Sequence, residues 1–148
     1  MDGAESGGAL RFPDKSPHRV RIHAEAASLN PMDRLEVLFK GKPARVVTGT
    51  GKLVADFSTE IAETGWFAAR AFEKPDRAIR FAHTSPVYAE FSGDAGIVRT
   101  DAQFFIDWID REMAFYKNLP DFREPAHRDA MLALFSAARQ VYAGLAEK

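Results

Sequence analysis

The segment His83-Thr84-Ser85-Pro86-Val87-Tyr88 holds residues that could do chemistry. An imidazole and a hydroxyl two positions apart, as in His83 and Ser85, share one face of a strand. Such a pair could act as base and nucleophile, but a triad also needs an orienting acid, which the sequence does not place. The simpler interpretation is a turn with hydroxyl-to-backbone hydrogen bonds. We assign no catalytic residue, and His83, Thr84, Ser85 and Tyr88 are candidates for binding.

Histidines could also bind a metal, and the chain has four of them and no cysteine. His18 and His23 lie on one predicted strand, five positions apart, so they point to opposite faces. His127 falls on the apolar side of a predicted helix, where a histidine at the edge of the core is the simpler interpretation. No His-x-His, His-Glu-x-x-His or calcium-loop pattern occurs. The sequence predicts no metal site and no cofactor in this chain.

The composition limits the class of partner. The chain has 148 residues, with 20 basic and 21 acidic side chains, whereas a general nucleic-acid binder carries a basic excess. No apolar run approaches the roughly 18 residues of a membrane span, and the acidic, small, polar start is unlike a signal peptide. We expect a soluble chain that binds neither nucleic acid nor a membrane, and its compartment stays open.

The elements that position these residues follow from hydrophobic periodicity. Residues 1–17 are rich in Gly, Ser and Pro and predict a flexible lead-in or linker. From His18 the side chains alternate with period two, which predicts strands separated by turn signals. The predicted strands are His18–Ala27, Arg34–Phe39, Ala44–Val47, Leu53–Ile61, Gly65–Phe72, Ala78–His83 and Val87–Phe91, with a break at Lys74-Pro75-Asp76. Trp66 and Phe67 point to opposite faces, so one of them is a candidate for exposure.

Two helices follow the strands. Thr100-Asp101-Ala102-Gln103 fits a capping box, and the helix it starts runs to Asn118 before Pro120 stops it. A second helix runs from Pro125 to about Ala146. The sequence thus predicts an α+β protein, an antiparallel, immunoglobulin-like β-sandwich of six or seven strands followed by two C-terminal α-helices. We expect one domain over residues 18–148, with the sandwich at 18–92 and the helical pair at 100–146.

The first helix is apolar on two sides. Beside its main face it carries a second stripe of Phe104, Trp108 and Phe115, nearly opposite. In one interpretation the sheet and the second helix each cover one of the two stripes. In the other, the aromatic stripe is an interface with a partner domain or subunit. The sequence leaves both interpretations open.

Five segments together resemble the C-terminal, non-catalytic region of bacterial PHP-type metallohydrolases of the carbaryl-hydrolase-like group. The segments are Asn30–Lys42, Gly65–Ala71, Phe81–Tyr88, Asp101–Asp110 and Ala137–Tyr142. The family's metal cluster is built from His-x-His and further His and Asp residues of a separate domain. Those motifs do not occur here, so no catalytic residue carries over. His83 matches the histidine of the family's Ala-His-Thr-Ser-Pro segment, to which no role is attached.

The resemblance implies a non-catalytic accessory domain of a larger metal-dependent hydrolase. Its partner would be the catalytic domain of the same parent polypeptide, or a second copy through self-association. The alternative is a free-standing binding module of sandwich type for a carbohydrate or a protein, since sandwiches carry many functions. A small enzyme centred on His83 ranks last, because no acid, base or nucleophile partner is visible. Whether the chain is an enzyme therefore stays open at the level of the sequence.

Overall fold

The structure is a computed structural model that describes residues 1–75, 78–119 and 122–148. It divides into two compact units, Met1–Gly96 and Ile97–Lys148. The sequence predicted one domain over residues 18–148, with the sandwich at 18–92 and the helical pair at 100–146. The first 17 residues belong to the β unit, and the helical pair forms a unit of its own. The predicted chain breakers Asp76 and Pro120 lie outside the described residues.

Unit 1 contains eight strands within the described residues. They are β1 Ala9–Phe12, β2 His18–Ala26, β3 Met32–Phe39, β4 Lys42–Thr48, β5 Leu53–Ile61, β6 Gly65–Glu73, β7 Phe81–His83 and β8 Val87–Phe91. Six of them form a sheet in the order β1-β8-β6-β3-β4, with β7 also paired to β6, and β2 pairs with β5 in a second sheet. With the two helices of unit 2, the protein belongs to the α+β class, as the sequence predicted.

Alternating side chains from both sheets build the core of unit 1. Val20 and Ile22 of the two-stranded sheet are buried together with Leu35, Val37 and Phe67 of the six-stranded sheet. On β2 the intervening Arg19, Arg21, His23 and Glu25 are exposed, which is the pattern of a sheet with one wet face. His18 and His23 fall on opposite faces of β2, because the register alternates between them.

The prediction of a flexible lead-in over residues 1–17 is corrected by the structure, because this segment contains β1. This strand pairs with β8 in parallel, with Leu10 opposite Ala89 and Phe12 opposite Phe91. The predicted sandwich was wholly antiparallel, so this edge also corrects the predicted sheet type. The Phe12 ring stacks on His18 and Phe91 at centroid distances of 4.5 and 4.7 Å. A strand of four residues, preceded by Gly7-Gly8 and followed by Pro13, gives little periodic signal, so its pairing partner decides its conformation.

The predicted limits of other strands agree closely with the observed ones. The strands Leu53–Ile61 and Val87–Phe91 have the predicted limits, whereas the strand predicted from Ala78 begins at Phe81. In unit 2, α1 spans Arg99–Asn118 and α2 spans Pro125–Ala146. The capping-box prediction is wrong, because the N-cap of α1 is Val98 and no side chain caps it. Thr100 lies inside the first turn instead.

Candidate functional site

The candidate site lies on the outer face of the six-stranded sheet, which is the face turned away from the core. The alternation of β6 decides which side chains stand there. Phe67 is buried in the core at 4% exposure, so Trp66, Ala68, Arg70 and Phe72 point to the outer face.

The floor of the site is a depression, because the small side chain of Ala68 lies there. Ala68 pairs across the sheet with Leu38, which is itself buried. On the opposite side of Ala68, the chain passes from β7 to β8 instead of presenting a continuous strand. The methyl group of Ala68 therefore leaves a depression between the large side chains that precede and follow it on β6.

The connection between β7 and β8 forms the side of this depression and carries the one extra residue of a β-bulge. His83 pairs with Arg70 and Val87 pairs with Phe67, so the three connecting residues 84–86 face residues 68 and 69 of β6. Thr84 keeps the two strands joined, because its N–H donates to the Ala69 carbonyl at 2.9 Å and its hydroxyl accepts the Ala69 N–H at 3.1 Å. This is the hydroxyl-to-backbone bond that the sequence indicated for this segment.

Aromatic side chains stand at both ends of the depression. At one end Trp66 is paired across the sheet with Tyr88. At the other end Phe72 is paired with Phe81, with their rings stacked at 6.0 Å. The His83 ring stacks on Phe81 at a centroid distance of 6.4 Å. The cross-strand stack of Phe72 on Phe81 stiffens the sheet surface at that end.

Together these side chains enclose a groove of about 710 Å³, which we call the outer groove. Its volume falls in the range of small-ligand and peptide sites. Its rim exposes Ile79, Phe81 and Tyr88 by 79, 62 and 45%. The lining consists of Leu38, Trp66, Ala68, Ala69, Arg70, Phe72, Ile79, Phe81, His83, Thr84, Ser85, Pro86 and Tyr88.

A buried carboxylate beside the outer groove fixes its charged residues. Glu36 is 7% exposed and accepts hydrogen bonds from Arg34 Nε at 2.6 Å and Arg70 Nε at 2.5 Å. The bond from Arg34 and then the bond from Arg70 hold the pKa of the Glu36 carboxyl below its ordinary value, although burial acts in the opposite direction. Both oxygens of Glu36 are thereby occupied by the protein itself.

The same ion cluster supports the aromatic end of the groove. The Arg34 guanidinium lies 3.9 Å from the centre of the Phe72 ring, and that of Arg70 lies 5.6 Å from it. A guanidinium over an aromatic face is an attractive contact. Glu36 therefore fixes the positions of Arg34 and Arg70. Their guanidinium groups in turn pack on the ring of Phe72, which lines the outer groove.

All four predicted binding residues, His83, Thr84, Ser85 and Tyr88, line the outer groove. They are exposed, so His83 is displayed at the surface. The Thr84 carbonyl oxygen lies 3.2 Å from His83 Nδ1. Because a carbonyl can only accept a hydrogen bond, Nδ1 carries the proton in that contact. Among the described residues no hydrogen bond joins His83 to Ser85 or to a carboxylate. The arrangement is suited to binding and lacks the geometry of a triad.

The predicted interface residues lie on α1 of unit 2. Phe104, Trp108 and Phe115 are 56, 47 and 58% exposed. Trp108 Nε1 donates to Glu112 at 3.2 Å, which fixes the indole ring along the helix. These residues belong to unit 2, whereas the outer groove is lined by residues of unit 1 alone.

Within 1–75, 78–119 and 122–148, no group of three or more His, Asp or Glu side chains could hold a metal ion. No helix in those ranges combines the length and the apolar composition needed to cross a membrane.

The sequence analysis did not find Arg70, Phe72, Phe81 and Glu36 as parts of the site. The sequence predicted that either Trp66 or Phe67 is exposed, and the spacing of Trp66 to Ala68, Arg70 and Phe72 contained the signal for a shared face. What the sequence could not supply was the register that brings Phe81 beside Phe72 and Arg70 beside Glu36.

In the comparisons with known proteins, no family model, no curated protein and no solved structure matches this chain.

Proposed function

We propose that the chain is a non-catalytic binding module that takes an apolar segment of a protein partner in the outer groove. The carrying observation is that Ile79, Phe81 and Tyr88 are exposed together around one concave surface. Large apolar side chains gathered at a rimmed depression are typical of an interaction site. Bound apolar side chains would sit on Ala68, between the two aromatic ends.

The distribution of polar groups favours a polypeptide segment over a carbohydrate. A sugar presents many hydroxyls, and its site needs several free hydrogen-bonding groups beside an aromatic platform. Here both oxygens of Glu36 are used by arginines, and the Nδ1 atom of His83 is used by the Thr84 carbonyl. The remaining lining is mainly apolar and aromatic, which suits Leu, Ile or Phe side chains.

The test is a titration of the ¹⁵N-labelled full chain followed by NMR. N-acetylleucinamide and N-acetylphenylalaninamide probe for apolar peptide side chains, and maltotriose and cellotriose probe for a carbohydrate. We expect saturable shifts at Ala68, Ala69 and Thr84 with the amides. Amides that give no shifts there up to their solubility limit would contradict the proposal, as would stronger shifts with a trisaccharide.

Two variants locate the binding. Ile79→Ser and Phe81→Ser remove apolar rim groups that are already largely exposed, so the fold should survive. Each should weaken amide binding several-fold. Leu29→Ser is the matched control, because Leu29 is fully exposed and outside the groove lining. Binding that is lost equally in Leu29→Ser would place it elsewhere.

The second candidate is an accessory domain of a larger metal-dependent hydrolase, with the catalytic domain of the same polypeptide as partner. One observation favours it, because the segment Phe81–Tyr88 that carries the family resemblance forms one side of the outer groove. An immunoblot of source cells with an antibody against this chain tests it. This candidate predicts a main band well above 16.4 kDa, and a main band at 16.4 kDa would refute it.

For the fold of unit 1 we propose an immunoglobulin-like sandwich. The strand order β8-β6-β3-β4 opposite β2-β5 supports this, because it matches the GFCC′ and BE strands of a variable-type domain. The shared core of Val20, Ile22, Leu35 and Val37 further supports two sheets packed face to face.

A further inference from the structure

The two helices of unit 2 pack as an antiparallel hairpin whose facing sides are fixed by three contacts. Phe105 stacks on Tyr142 at 4.8 Å, and Tyr116 stacks on Phe135 at 5.8 Å. An ion pair between Asp110 and Arg139 at 2.7 Å lies between these two stacks along the helices. These contacts define which residues point from each helix toward the other.

Five exposed apolar side chains lie on one flank of this hairpin, which we call the hairpin flank. At about 100° per residue, Phe104, Trp108 and Phe115 fall within about 40° of one another, about a third of a turn from the side that faces α2. Leu134 and Val141 fall about a third of a turn from the side of α2 that faces α1. Because the helices run in opposite directions, both rotations lead to the same flank.

The side chains of the hairpin flank are largely exposed. Leu134 and Val141 are 71 and 64% exposed, beside the aromatic residues already described. None of the described residues of α2 is buried. Two helices alone bury one stripe each, and a helical domain normally closes its core with further helices.

We propose that a second copy of this chain covers the hairpin flank, so that two hairpins form a four-helix bundle. The area supports a dimer. Three aromatic side chains at about half exposure, with Leu134 and Val141, offer on the order of 500 Å² of apolar surface. A stable dimer buries roughly 800 Å² per partner, of which about 65% is apolar at homodimer interfaces. A two-fold axis also lets one flank serve as both halves of the interface.

Sedimentation velocity of the full chain over a concentration series tests this proposal. We expect a species of twice 16.4 kDa that dissociates on dilution. Trp108→Glu and Leu134→Glu each place a charge on the hairpin flank. Each should weaken the dimer about 30-fold, as expected when a residue that contributes strongly to an interface is lost. Circular dichroism checks that the helices are retained, and Leu134→Glu serves where Trp108→Glu fails to fold.

A fluorescence readout assigns the interface to the flank. The chain has two tryptophans, Trp66 and Trp108. In a Trp66→Phe background Trp108 is the sole reporter, and its emission should shift to the blue as the dimer forms. Val54→Glu is the control, because Val54 is exposed on β5, and its dimer should match the wild type. A chain that stays monomeric at all concentrations would overturn the proposal, as would dimers retained in both charged variants.

This proposal does not rest on the outer groove. Loss of amide binding with the dimer intact would count against the proposed function alone. A monomer with intact groove binding would count against the dimer alone. A dimer that survives both charged variants would locate self-association outside the flank and so contradict the proposal.

Discussion

Thr84 joins β6 at the point where β7 gives way to β8, through two hydrogen bonds to the backbone of Ala69. The Thr84 hydroxyl serves as an acceptor in the ladder where the bulge displaces the chain. The bulge is also what leaves the space beside Ala68 unfilled. One threonine side chain therefore maintains both the sheet and the opening of the outer groove.

Replacing Thr84 by valine should destabilise unit 1 by about 1 kcal/mol, because the Ala69 N–H loses its acceptor while the side-chain shape is retained. Urea unfolding measures the change in the free energy of unfolding. Thr84→Ser is the matched variant, since it keeps the hydroxyl and should lie closer to the wild type. If valine and serine have the same effect, the hydroxyl bond does not contribute.

Glu36 should make stability depend on pH in the acid range. Its pKa is held below the ordinary value by Arg34 and then by Arg70. The stabilisation is therefore complete above the unfolded pKa of about 4.3 and disappears as the pH falls through the lower, folded pKa. Glu36→Gln should cost about 1–3 kcal/mol at neutral pH, because two arginines lose their buried partner.

Urea unfolding of wild type and Glu36→Gln between neutral pH and pH 3 measures this dependence. The difference between the two free energies of unfolding should shrink as the pH falls. Glu60→Gln, at an exposed position of β5, is the control and should follow the wild type. A difference between wild type and Glu36→Gln that stays constant with pH would contradict the role given to the carboxylate.

The N-terminal strand should be part of the cooperative fold. Phe12→Ala removes a half-buried ring that stacks on His18 and Phe91, and we expect a loss of about 1–3 kcal/mol. Thermal unfolding by circular dichroism measures it. Arg11→Ala on the same strand should cost little, because its ion pair with Glu90 is exposed. If Phe12→Ala is neutral, residues 1–17 are a lead-in after all.

Gly96 should resist substitution. Its φ is +64°, and a Cβ there would lie 2.7 Å from Cγ2 of Thr64. We expect Gly96→Ala to lower the free energy of unfolding by about 1–3 kcal/mol, through the left-handed conformation and the clash. Gly51→Ala is the control, since nothing lies within 4 Å of its added Cβ. Equal melting temperatures for the two variants would refute this account of Gly96.

The sequence predicted the parts of the fold that local pattern determines. Leu53–Ile61 alternates over nine residues, and its strand has the predicted bounds. β1 escaped prediction because four residues contain too few alternations, and its partner β8 lies far along the chain. The cap at Val98 escaped because the hydroxyl pattern at Thr100 is only a preference, which tertiary structure overrides.

The candidate site was partly predictable for the same reason. His83, Thr84, Ser85 and Tyr88 are neighbours in sequence, so a local motif points to them together. Arg70 and Glu36 are 34 positions apart, and only the pairing of β3 with β6 makes them partners. A single sequence contains no measure of that register. The groove is a property of paired strands, and the residues from distant strands could not be foreseen.

The most direct test of the central claim is the fluorescence of Trp66 in the Trp108→Phe chain, where it is the sole tryptophan. Trp66 lines the outer groove, so a bound apolar group should change its emission. Titration with N-acetylleucinamide should give a saturable change that weakens in Phe81→Ser and persists in Leu29→Ser. An unchanged Trp66 emission up to the solubility limit of the amide would contradict the outer groove as a binding site.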